Sequence, residues 1–198
     1  MMRSARQRRI GDGSIAIAAA LLAIAFSPPL AAQQRLLPAQ SEIAFTSRQM
    51  GVPLQGRFRV FDGQIEFDPK QPEAARIELR IDLASVSLGT SETEAELAKP
   101  GWFDTRRFPQ ASFTSTRVKP AGPGRFDVTG TFTLKGTSRE LTVPVMLLQA
   151  GPTTTVSSSF AIRRLDYRIG DGDWSDPSLV ADEVQVKFRL ALAGVAAP

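Results

Sequence analysis

The chain contains no histidine and no cysteine, one tyrosine and two tryptophans. Without histidine the commonest general base is missing, and with it any Ser-His triad or imidazole metal site. Ser-x-x-Lys is also absent from the sequence. Without cysteine there is no disulfide, no thiol nucleophile and no residue for an amino-terminal lipid anchor. No apolar run reaches the roughly 20 residues that a membrane-spanning helix needs. Carboxylates remain available for catalysis, but none sits among apolar residues in a way that raises its pKa, so the chain reads as a non-enzyme.

The strongest charge asymmetry lies at the amino terminus. Arg3, Arg6, Arg8 and Arg9 precede the apolar run Ile15 to Phe26, which is followed by Pro28, Pro29 and then Leu30-Ala31-Ala32. That order of basic, apolar and small residues is expected to be a signal peptide over residues 1–32, cut after Ala32. Ile10-Gly11-Asp12 after the paired arginines is a poor twin-arginine match, which favours the general secretory route. The product is expected to be soluble in the periplasm. Of the 24 basic and 20 acidic residues, the leader holds four arginines and Asp12, leaving 20 against 19. So near-neutral a remainder excludes a nucleic-acid footprint, and Arg106-Arg107 and Arg163-Arg164 read as solvated sheet edges. About 166 residues suit one domain, 33–198.

What the sequence has in abundance is period-two alternation. Gln55 to Asp68 predicts a hairpin turning at Asp62-Gly63 in a type I′ turn. That register sets Phe58 against Phe67 and Val60 against Ile65 on one face, with Arg57–Asp68 and Arg59–Glu66 on the other. Ile43 and Phe45 alternate on the strand before it, which Gly51-Val52-Pro53 is expected to break. After it, Ile77, Leu79, Ile81 and Leu83 share one face. Ser91 and Glu94 suggest a capping box opening a short helix over 91–98, which Pro100-Gly101 ends. Further strands carry Phe113, then Phe126, Val128, Phe132 and Leu134 with a bend at Gly130, then Leu141, Val143, Val145 and Leu147. Phe160 and Ile162 lie on the next, and Val184, Val186, Phe188, Leu190 and Leu192 on the last.

Eight or nine antiparallel strands with one apolar face must bury their edges, and their length favours an all-β barrel over a sandwich. Such a barrel either fills with side chains or holds one small ligand. Asp171, Asp173, Ser175 and Asp182 imitate a calcium loop, but Asp176 stands where the turn needs Gly. No metal or other cofactor is expected.

The segment Trp102 to Ser115, WFDTRRFPQASFTS, resembles the YceI-like family of secreted, lipocalin-like β-barrels. Other matching segments follow in order: Gly56-Arg57-Phe58 through Phe67-Asp68-Pro69, Ser85 before Gly89, Gly130 to Gly136, Arg164 to Tyr167, and Asp182-Glu183-Val184. The resemblance covers residues 40–192. Where many members have His before Gly51, this chain has Met50. The resemblance implies an apolar tunnel that binds an amphiphilic isoprenoid or quinone-like lipid. The lining would be Phe45 on the first strand and Phe58, Val60, Ile65 and Phe67 on the hairpin. Beyond them would come Leu79, Ile81, Phe113, Phe132, Leu134, Val143, Val145, Phe160, Ile162, Val186 and Phe188. Trp102 and Phe103 would stand at the mouth.

Burying the five carbons of an isoprene unit contributes roughly 4 kcal/mol gross, so about three units offset an association cost of about 4–15 kcal/mol. A smooth apolar tube suffices without a catalytic group. The reading from another class is a filled barrel acting as a protein-interaction module beside a membrane redox protein. Transient contact with a membrane surface and homodimerisation stay open as partners.

Overall fold

The computed structural model describes residues 34–196, so the expected signal peptide lies outside the described residues. Eleven strands form the sheet: β1 (Arg35–Leu36), β2 (Glu42–Gln49), β3 (Val52–Phe58), β4 (Phe61–Glu66), β5 (Arg76–Asp82), β6 (Val86–Ser87), β7 (Gln110–Gly122), β8 (Arg125–Leu134), β9 (Thr137–Ala150), β10 (Thr153–Arg163) and β11 (Glu183–Ala193). One α-helix, α1 (Ser91–Leu97), interrupts them. Nine strands are long and two have only two residues. All pair antiparallel, in the order β4-β5-β7-β8-β9-β10-β11-β2-β3-β6, with β1 on β11. The sheet curls so that its inner face encloses Ile43, Ile65, Phe67, Val118, Phe126, Val128, Val143, Val145, Leu190 and Leu192.

The expected hairpin at Asp62-Gly63 does not form. β3 pairs with β2 and β6, whereas β4 pairs with β5, setting Asp62 against Arg80 and Gly63 against Leu79. The reason lies in Phe61, which a turn would leave in water and which is 6% exposed as the first residue of β4. Burying such a ring is worth about 1.5–3 kcal/mol, more than a favourable turn dipeptide contributes. Phe58 and Phe61 both face inward although three positions separate them, so the period-two pattern must break between them. Arg59 and Val60 make that break, both exposed. Ser85 holds it: its Oγ accepts from the amides of Arg59 and Val60 at 3.2 and 3.0 Å, and it donates to the Asp82 carbonyl at 2.6 Å. The kinked chain links β4, at one end of the sheet, to β3, which lies next to β6 at the other.

Gly63 serves packing rather than turning, since a Cβ there would lie 2.7 Å from the Glu78 carbonyl oxygen. Two-residue turns with positive φ at both positions stand instead at Met50-Gly51, at +48° and +79° between Gln49 and Val52, and at Lys135-Gly136, at +48° and +73° between Leu134 and Thr137. Pro53 therefore lies inside β3 rather than breaking it, at a position β6 does not reach. Gly130 sits under the ring of Phe113 and against the Thr114 carbonyl, next to a register shift between β7 and β8.

The β9–β10 ladder covers only Met146–Ala150 and Thr153–Ser157. Pro144 has no amide to extend it, and the Ser158 hydroxyl takes the Pro144 carbonyl instead at 2.5 Å. Beyond that rung the two strands carry no ladder. The helix begins at Ser91 as expected and ends at Leu97, but Ser91 is its first residue and not its cap: Thr90 is the N-cap, its Oγ1 accepting from the Thr93 amide at 3.3 Å. Glu94 turns back to accept from the Leu88 amide at 3.1 Å.

Candidate functional site

The curled sheet encloses two cavities. The larger, about 440 Å³, lies beside α1 and the loops at 99–108 and 164–182. The smaller, about 140 Å³, lies deeper in the sheet, and every residue lining it is Ile, Leu, Val or Phe. The larger falls within the usual ligand-pocket range of roughly 300–1,000 Å³. The interior is thus not packed solid.

Seventeen of the eighteen residues selected from sequence border these spaces. Phe45, Phe58, Ile81, Trp102, Phe103 and Leu134 line the helix-side cavity. Ile65, Phe67, Leu79, Phe113, Val143, Val145, Phe160 and Phe188 line the deeper one. Phe132, Ile162 and Val186 line both. Val60 does not belong to the set: at the kink between β3 and β4 it is 56% exposed, because the parity that would turn it inward ends at Phe58.

Aromatic contacts shape the walls. Phe58 packs against Phe45 at 5.6 Å between centroids and Phe103 at 6.1 Å, while Phe160 meets Phe188 edge-on at 6.3 Å. Phe45, Phe58, Phe160 and Phe188 converge because each stands at an inward position of its strand, and Phe103 joins them from the loop between α1 and β7. Trp102 packs against Trp174 at 5.9 Å, and its indole N–H has no hydrogen-bond partner among the described residues.

Polar groups gather at one end. Glu92, Thr93 and Glu96 on α1 and Ser47 and Gln49 on β2 rim the helix-side cavity. Hydrogen bonds from its own backbone and from the hydroxyls of Thr90 and Ser91 hold the Glu92 carboxyl below the usual range, so it stays charged near neutrality. The helix-side lining is mixed at this rim, and the deeper lining is wholly apolar. An amphiphile fits such an arrangement with its polar end at the helix and its chain inward.

Arg164 was expected at a solvated edge and is instead 2% exposed in the wall of the helix-side cavity. Its guanidinium donates to five backbone carbonyls: Nε to Ala181, Nη1 to Ile169 and Gly170, Nη2 to Trp174 and Val180, at 2.6–3.1 Å. Burial lowers its pKa, opposed by Asp182. With every donor committed, Arg164 is a clamp on the 165–182 loop rather than an anion site. Alternation could not reveal it, since its partners are carbonyls of a loop with no periodic pattern. Leu54, Leu88, Leu97, Ile169, Trp174 and Val180 also line this cavity and were not singled out from sequence, most of them lying on loops and the helix.

The calcium-like carboxylates are held apart by partners of their own. Asp171 faces Arg168 at 3.3 Å and Lys135 at 3.5 Å, and Asp182 accepts from the Leu165 amide at 2.9 Å. Among the described residues no three His, Cys, Asp or Glu side chains come together as a metal site.

Residues 35–192 match the YceI-like domain. Over 98 residues the chain is 37% identical to Protein YceI of Escherichia coli O157:H7 and to that of Shigella flexneri, 50% of this chain and 51% of each relative. It therefore spans about half the length of the curated relatives it matches. Among solved structures, Burkholderia cenocepacia BcnA superposes with a TM-score of 0.77 at 40% identity, covering 79% of this chain and 98% of BcnA. A polyisoprenoid binding domain from Saccharophagus degradans, implicated in plant cell wall breakdown, superposes with a TM-score of 0.67 at 22% identity, covering 84% and 99%. That last likeness is one of fold.

Proposed function

The chain belongs to the YceI-like domain family, and from that premise we propose that it is a periplasmic carrier for an amphiphilic isoprenoid or quinone-like lipid, bound by a single domain over residues 33–198. One observation carries this reading: a cavity of about 440 Å³ that shares wall residues with a second of about 140 Å³, the deeper wholly apolar in its lining. Apolar burial supplies the affinity, and the rim at Glu92, Thr93 and Glu96 meets the polar end. No covalent step is required, so the protein acts by binding. The solved relative whose name includes polyisoprenoid binding supports the ligand class by analogy of fold. Export through a cleaved leader accords with the basic and apolar order of residues 1–32. A filled barrel that only docks a protein accounts less well for two apolar-walled cavities, whose walls complete their packing contacts against an occupant.

The test is an organic extract of protein purified from its native compartment, read by mass spectrometry. A prenyl lipid in near-stoichiometric amount is expected, and its absence from correctly folded protein would count against the carrier reading. In parallel, Phe58→Arg places a charge in the helix-side cavity. It is expected to reduce the co-purified lipid at least about tenfold, since an unpaired buried charge costs several kcal/mol.

A further inference from the structure

Ile43, Phe132, Ile162 and Val186 line both cavities and so form the boundary between them. Ile43, Val186 and Ile162 stand on the neighbouring strands β2, β11 and β10, whereas Phe132 stands on β8, two strands further round the sheet from β10. The ring is held from two sides. Phe113 is its cross-strand partner on β7, and Tyr167 meets it edge-on at 5.3 Å and 71°. Tyr167 is itself only 3% exposed, so it offers the ring little room to retreat. Phe132 remains half-buried although Val128 and Leu134 on the same face are 6% exposed. Its accessible surface therefore borders the cavities.

We infer that Phe132 sets the length of isoprenoid chain that the protein holds. The inference rests on the carrier reading above and adds to it a residue that determines specificity. A short chain fits the helix-side cavity without touching the boundary. A longer one gains the apolar walls of the deeper cavity only by displacing a ring wedged between Phe113 and Tyr167. Because the side chains around it are close-packed, that displacement is a discrete rearrangement rather than a gradual widening. Replacing the ring by a methyl group joins the two spaces.

The experiment measures dissociation constants of delipidated protein for prenyl alcohols of two to eight isoprene units, by displacement of a fluorescent apolar probe. In the native protein affinity is expected to rise with length and then level off. Phe132→Ala is expected to move that plateau by at least one unit and to tighten binding of the longest alcohols at least about tenfold, while the shortest change little. Phe132→Leu keeps the strand position apolar and is expected to shift the profile the same way by less, so it decides the matter should the alanine variant not fold. A length profile that keeps its plateau, or changes equally at every length, overturns the gate and leaves the carrier reading standing. Failure of every alcohol to bind the native protein overturns both.

Discussion

Tyr167 packs behind Phe132, a residue of the cavity wall. It is the chain's single tyrosine, 3% exposed, with its ring edge on Phe132. Burial raises its pKa, with Arg139 opposing and Asp166 adding to the rise. The folded state thus holds the phenol proton more tightly than the unfolded chain, whose value is about 10. This contribution to stability is complete below about pH 10 and is lost as pH rises through the raised folded value. Phenolate absorbance reports this one group, so its midpoint is expected to lie higher in native than in denatured protein. Equal midpoints would show that the hydroxyl is not desolvated. At this scale the sequence was legible wherever a residue obeyed its strand's parity, as Phe45, Phe132 and Phe188 do. It misled at Val60, Phe61 and Arg164, whose environments are set by a kink and a loop rather than by a period.

At the scale of the element, alternation predicted strands well and their partners poorly. Asp62-Gly63 is a good turn dipeptide, yet burial of Phe61 made it part of β4, and the less favourable Met50-Gly51 took the turn. Met50 is 70% exposed at φ +48°, a conformation that costs a residue with a Cβ about 1–2 kcal/mol and that Asn tolerates. Met50→Asn is accordingly expected to stabilise the protein by about 0.5–1 kcal/mol in denaturant titration. A loss of stability would mean that the methionine makes an apolar contact outweighing the strain. The incomplete β9–β10 ladder follows similarly from one residue, Pro144, which ends amide pairing where an unbroken pattern of Leu141, Val143, Val145 and Leu147 promised a full strand pair.

Residues 34–196 form a curled sheet in which the bend at Arg59-Val60 links β4 at one end to β3 near the other, with two apolar-walled cavities inside. Empty apolar volume weakens the lining, so occupancy should stabilise the fold by mass action. At a free ligand concentration one hundredfold above the dissociation constant, the gain is about 2.7 kcal/mol. For a chain of this size that corresponds to a rise in melting temperature of roughly 5–10 °C over delipidated protein. A calorimetric scan showing no difference between loaded and stripped protein would argue that nothing specific fills the cavities.

By itself the sequence determined that this is an all-β chain of eight or nine strands with one greasy face, because side-chain direction alternates strictly along a strand and needs no tertiary information. The same order of residues determined its family resemblance and its lack of imidazole and thiol chemistry. Only the tertiary structure decided which strands pair, that Arg164 lies inside, and that the inward side chains leave two cavities between them. Those outcomes depend on competition between distant groups for the same space. A local pattern contains one side of that competition, and the cavity exists only where all the sides have been settled together.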